Sequence, residues 1–167
     1  GGSFYVRNYS TDTTFSSNFQ AGIINAQVEW NNILPFNISE TSFNYATNYV
    51  YAGPFNDLKS IFPNLMSKHA GLTIQYYLPE TKQSVKYLNQ NKNVYEMYVG
   101  SKMCVVQEAN RSLSSTKSTA THEMGHLFGW VGESYNSKSV MYYQNNGIYK
   151  LKSSDIDHIK QIYDLFY

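Results

Sequence analysis

The sequence predicts an α+β domain built from one sheet and three helices. Three observations carry that reading. Apolar residues recur at helical spacing in two places, a further helix is placed between them by its start near Ser114–Thr119 and its stop at Gly129, and four apolar, β-branched or aromatic stretches lie between the first helix and that one. The chain of 167 residues is long enough for one sizeable core, and no repeat, low-complexity tract or Pro/Gly-rich linker divides it. Residues 1–167 are therefore expected to form a single domain.

Tyr5–Tyr9 reads as a short opening strand. Phe19, Ile23, Ala26 and Trp30 then mark a first helix, with Ser16 or Ser17 as its expected cap and Asn31-Asn32 and Pro35 as its stop. Strands are expected around Phe36–Ile38, Tyr49–Ala52, Leu72–Leu78 and Val94–Val106, the last broken by Gly100-Ser101. Turn-forming Gly53-Pro54, Pro63-Asn64 and Asn89–Asn91 separate them. A second helix is expected to start between Ser114 and Thr119 and to end at Phe128, with Gly129 placed to take a left-handed conformation at its end. Ser153 or Ser154 opens the third, whose stripe is Ile156, Ile159, Tyr163 and Phe166.

Composition narrows the function. Lys plus Arg is 13 and Asp plus Glu is 12, a balance that excludes nucleic acid as the expected partner. Charged residues make up only 15% of the chain, against roughly 25% in ordinary soluble domains. No apolar run approaches the ~20 residues of a membrane span. One cysteine, Cys104, permits no internal disulfide, and its apolar neighbours mark it as an inert buried thiol.

The chemistry is carried by His122-Glu123-Met124-Gly125-His126. Two histidines four apart on a helix project from one face, which lets both imidazoles reach one Zn²⁺ at about 2.0–2.1 Å. Glu123 points around the helix beside the metal, where it can take a proton from a zinc-bound water and pass it to a leaving amine. His69 and His158 have no metal spacing to any other residue and read as surface or core histidines.

His122-Glu123-x-x-His126-x-x-Gly129 resembles the opening of the metzincin signature, and Ser139-Val140-Met141-Tyr142 resembles that clan's Met-turn. The signature's third histidine would fall at position 132, which here is Gly132, followed by Glu133. In matrixins the third His precedes a Ser and stands eight residues before the Met. Glu133 precedes Ser134 and stands eight before Met141, so it aligns with the third ligand, with one residue inserted after Gly129. Residues 151–163 are similar to the matrixin C-terminal helix, and Asp155 matches an Asp that supports the Met-turn there.

The resemblance implies a zincin or metzincin-like fold: a twisted, mainly parallel sheet with three helices and a cleft between a large N-terminal subdomain (about 1–130) and a small C-terminal one (about 131–167). It implies a secreted, extracellular, monomeric zinc endopeptidase acting on proteins or peptides. The implied ligands are His122, His126 and Glu133, with Glu123 catalytic, Met141 in the Met-turn, and Gly129 and Asp155 in support. Tyr142 and Tyr143, with the loop to Ile148, are expected to line the pocket for the residue after the scissile bond. A Tyr at the spacing of Tyr143 stabilises the oxyanion in related branches. An edge strand within Lys92–Ala109 is expected to pair with the substrate backbone. One catalytic zinc is expected and calcium is not, because the five Asp form no Asp-x-Asp-Gly loop. The alternative, kept open by the Gly132-Glu133 departure, is a zinc-binding adhesion or toxin module, or an inactivated protease, without proteolysis.

Overall fold

The computed structural model describes residues 2–164 except 88, 96 and 97. The elements run β1 (Gly2–Asn8), α1 (Thr13–Asn31), β2 (Ile38–Glu40), β3 (Asn48–Gly53), α2 (Phe55–Lys59), β4 (Gly71–Tyr77), β5 (Lys82–Tyr87), β6 (Gln90–Tyr95), β7 (Tyr98–Val106), α3 (Leu113–Leu127) and α4 (Ser153–Asp164). The main sheet has the order β2-β1-β3-β7-β4. Its first four strands are parallel, and β4 runs antiparallel along β7. This is the α+β, mainly parallel arrangement expected, with three long helices and the five-residue α2 in addition.

Strand alternation builds two cores. Phe4, Val50, Ala52, Met103 and Val105 point to one face and pack with α1 and α3, whose Phe19, Ile23, Ala26, Trp30, Met124 and Leu127 fill the main core. Cys104 and Val106 point to the other face, beneath Leu58, Phe62 and Leu65. Burial pushes the Cys104 thiol up to about 12, and the neighbouring Glu123 charge adds to the shift, so the thiol stays protonated and inert as a nucleophile.

Several boundaries differ from the sequence reading. The cap of α1 is Asp12, whose carboxylate accepts the Phe15 N–H at 3.0 Å, so the helix starts well before Ser16. The strand expected around Phe36–Ile38 is β2, shifted to Ile38–Glu40. Gly100-Ser101 does not break its strand: both lie inside β7, where the Ser101 N–H is taken by the Asn48 side chain at 3.1 Å. The edge strand within Lys92–Ala109 is corrected as well. β7 sits between β3 and β4 and pairs with both, so on that side of the main sheet the edge is β4, while β6 pairs with β5 in a separate two-stranded sheet. Phe166, placed on the α4 stripe, lies outside the described residues.

Candidate metal and catalytic centre

α3 is a polar sequence that folds as a buried helix because its hydroxyls are satisfied locally. Ser112 caps it by accepting the Ser115 N–H at 3.1 Å, and Thr116 and Thr121 donate to the carbonyls of Ser112 and Lys117 one turn back, at 3.1 and 2.8 Å. From outside, Trp30 donates its indole N–H to the Thr121 carbonyl at 2.8 Å. The C-terminus closes in a Schellman motif: Gly129 N–H bonds to the His126 carbonyl at 3.3 Å and Trp130 N–H to the Gly125 carbonyl at 2.9 Å. Gly129 takes φ +122 there, a conformation that side-chain-bearing residues rarely adopt.

That reversal fixes the second histidine, because the Trp130 carbonyl it brings round accepts from His126 Nδ1 at 2.8 Å. The first is fixed from the other side: His122 Nδ1 bonds to the Val140 carbonyl at 3.0 Å, in the turn before Met141. Both rings thus carry their proton on Nδ1 and turn an Nε2 lone pair inward. The two Nε2 atoms lie 3.0 Å apart, and Glu133 brings Oε2 to 3.1 Å from His122 Nε2 and Oε1 to 3.5 Å from His126 Nε2.

These atoms fit one metal ion. Four ligands at 2.0–2.1 Å in a tetrahedron stand about 3.3 Å apart, and the observed separations bracket that edge. The donor chemistry agrees, since two inward lone pairs and a carboxylate repel one another unless a cation or proton lies between them. Among the described residues, His122, His126 and Glu133 form the one such cluster of metal-competent side chains.

Without a metal, protons take that place. Burial works against a charge on His122, but hydrogen bonding and charge from Glu133, with the charge of Glu123, override it and raise the imidazole above its usual 6.5. Burial likewise works to raise Glu133, and the two imidazoles override it and hold the carboxyl at about 2. Glu133's contribution to stability is complete above about 4.5 and is lost as pH falls toward 2; that of His122 is complete below about 6.5 and fades as pH rises past it. Chelator-treated protein is therefore expected to melt highest between pH 4.5 and 6.5, as followed by circular dichroism. A melting temperature that climbs steadily from pH 6.5 to 8 would contradict the pairing.

Met141 is fully buried against α3 at Gly125, the residue before His126. A Cβ at Gly125 would stand 2.6 Å from Met141 Sδ and 2.6 Å from the Trp30 ring, so only glycine at that helix position admits the methionine. Asp155 is 1% exposed and ties the turn to α4: it accepts from Ser139 Oγ, from Val140 N–H at 3.3 Å and from Lys152 N–H at 3.0 Å. Ser134, next to Glu133, donates its N–H to the Met141 carbonyl at 2.7 Å and accepts the Tyr143 N–H at 3.1 Å. Gly132 is exposed with φ +80.

Glu123 is 7% exposed, and the Thr73 hydroxyl donates to its Oε2 at 2.5 Å. A Cβ at Gly71 would stand 2.7 Å from Glu123 Cγ, so β4 has a gap where the glutamate passes. Gln75 of β4 donates its side-chain N–H to the His126 carbonyl. Around these groups lies a cleft of about 790 Å³. Tyr142 and Tyr143 line it, Tyr143 half-exposed with its ring 4.6 Å from that of Tyr142 and 5.8 Å from that of Tyr135. His158 is outside it, its ring 4.1 Å from that of Trp130. His69 does line the cleft, together with Thr73, Gln75 and Lys68, none of which the sequence reading singled out as part of it. They lie roughly 50 residues before the histidines, and no local spacing announces a contact made across a sheet.

A search of curated proteins returns no match. The family model described as Matrixin matches residues 3–164, nearly the whole chain. The chain therefore belongs to the matrixin family, whose members are zinc metalloendopeptidases.

Proposed function

We propose that this chain is a zinc-dependent endopeptidase hydrolysing peptide bonds of extracellular proteins or peptides, secreted and acting as a monomer. Its 167 residues form one catalytic domain with subdomains meeting at about residue 130. The observation that carries the reading is the meeting, in one cleft, of three inward-facing ligand atoms and a nearly buried carboxyl group beside a sheet edge.

His122, His126 and Glu133 would hold the zinc. When bound, such an ion supplies Lewis acidity that polarises a carbonyl and makes water more acidic. Glu123 takes the proton from the attacking water and returns it to the amine as the C–N bond breaks, so its own protonation is restored each cycle. The Thr73 hydrogen bond and the gap at Gly71 hold that carboxyl in one place between the two transfers. β4 pairs only with β7 among the described residues, so its outer edge offers N–H and C=O groups to an extended substrate. Tyr142 and Tyr143 form the facing wall, and the Tyr143 phenol is the available neutral donor for the developing oxyanion.

Protein purified without chelators is expected to contain one zinc per chain and to cleave casein or gelatin, with activity lost to 1,10-phenanthroline and regained on adding zinc. Zinc without chelator-sensitive cleavage would favour a non-proteolytic binding module. Absence of stoichiometric metal would overturn both readings.

A further inference from the structure

The cleft extends beyond Gly71 into an end that the proton transfers do not use. There Lys68, His69 and Ala70 face Ser118 and Thr119 of α3 and Asn145. A second hollow of about 470 Å³ opens from the same end, sharing Lys68, Ala70 and Asn145, and is bounded by Glu108 and Arg111.

The polar groups here divide into committed and free. Asn145 Nδ2 is committed to Ser115 and Thr119 at 2.8–3.1 Å, which fixes that wall against α3. The Glu108 carboxylate is committed to Arg111 at 2.5 Å, and Arg111 also donates to the Ala70 carbonyl at 3.4 Å. The ammonium of Lys68 is exposed and has no hydrogen-bond or ion-pair partner among the described residues. His69 Nδ1 accepts the Met66 N–H at 3.0 Å, so the ring proton resides on Nε2, where it is free to be donated. The free groups at this end are thus a cation and an N–H donor, while its one bordering carboxylate is already neutralised. Large apolar side chains are missing from this end of the lining, so it offers a substrate side chain charge and hydrogen bonds more than burial.

We infer that this end of the cleft reads a carboxylate carried within two residues of the scissile bond, held by the Lys68 ammonium and the His69 Nε2–H. The inference rests on the peptidase reading and adds the substrate class: peptides with Asp or Glu close to the cleaved bond. A carboxylate can also come from the free end of a short peptide, and the test separates the two sources.

Zinc-loaded protein is incubated with peptides randomised at the two positions on each side of the bond, and the products are sequenced by mass spectrometry. At one of those positions Asp and Glu are expected to exceed Lys and Arg by about tenfold, and Lys68→Glu to reduce that ratio by at least tenfold. The ratio is internal to each protein, so a general loss of folding or turnover cancels from it. Amidated and free-acid peptides run in parallel. An acidic preference retained on amidation assigns the carboxylate to a side chain; amidation that lowers cleavage alike for every randomised residue, with no acidic preference, assigns it to the chain end and overturns the substrate class. Equal cleavage of acidic and basic peptides, or an acidic preference that Lys68→Glu leaves unchanged, overturns the inference. If the zinc-loaded protein cleaves nothing, the peptidase reading fails separately. The same acidic and basic peptides are then compared by fluorescence anisotropy on the Glu123→Gln protein, where the acidic preference and its loss on Lys68→Glu must still appear.

Discussion

Glu123→Gln is expected to lower kcat/KM by about 10³, or ~4 kcal/mol of transition-state stabilisation, while zinc content stays at one per chain. The two effects separate because the side chain does two different things. As a proton carrier it needs a basic oxygen, which an amide lacks. As a packed group it needs only its shape and one acceptor for the Thr73 hydroxyl, and the amide oxygen supplies that acceptor. The variant should therefore melt within a few degrees of the parent and carry the same metal by elemental analysis. Activity within tenfold of the parent would remove Glu123 from the mechanism. Loss of metal together with activity would mean that its role is structural.

Glu133→Ala is expected to weaken zinc binding by more than about 100-fold, measured by competition with a chromogenic chelator. The carboxyl is 44% exposed on a loop, so its removal leaves no cavity; the zinc-free variant should lose only the pairing with the imidazoles, and with it the melting maximum between pH 4.5 and 6.5. What holds it against the imidazoles is the backbone of the next residue, through the Ser134 bonds to Met141 and Tyr143. Glu133→Gln separates charge from shape: it keeps the length of the side chain and removes the anion. If Ala, Gln and the parent all bind zinc equally, the third ligand is elsewhere.

The centre was legible where function and local periodicity coincide. Histidines four apart on a helix declare a shared face whatever surrounds them, and a glycine three residues beyond them declares where the helix ends. Glu133 was singled out by counting back from Met141, and its carboxylate does meet both imidazoles, the two segments being joined through Ser134. Asp155 was read from the same resemblance, and its bonds to Ser139, Val140 and Lys152 show why a carboxylate is needed between two elements.

The remainder was hidden for physical reasons. The α1 cap was misplaced because serines and an aspartate compete as caps, and the choice is made by where the chain leaves β1. β5 and α2 were missed because Lys82–Tyr87 has little apolar alternation and Phe55–Lys59 is barely one turn. The edge of the sheet was assigned to the wrong segment because apolar content does not record order. β7 and β4 both read as strands, and only long-range pairing decides which of them is enclosed. Thr73, Gln75, Lys68 and His69 come to the centre through that same pairing.

Ser134 has one further consequence. It is a single peptide unit from Glu133, and its N–H and carbonyl are both bonded into the segment bearing Tyr142 and Tyr143. The carboxyl set against the two imidazoles and the aromatic rings lining the cleft are thus rungs of one short ladder. A load placed on the rings is delivered to the carboxyl through two hydrogen bonds, with no intervening hinge to absorb it.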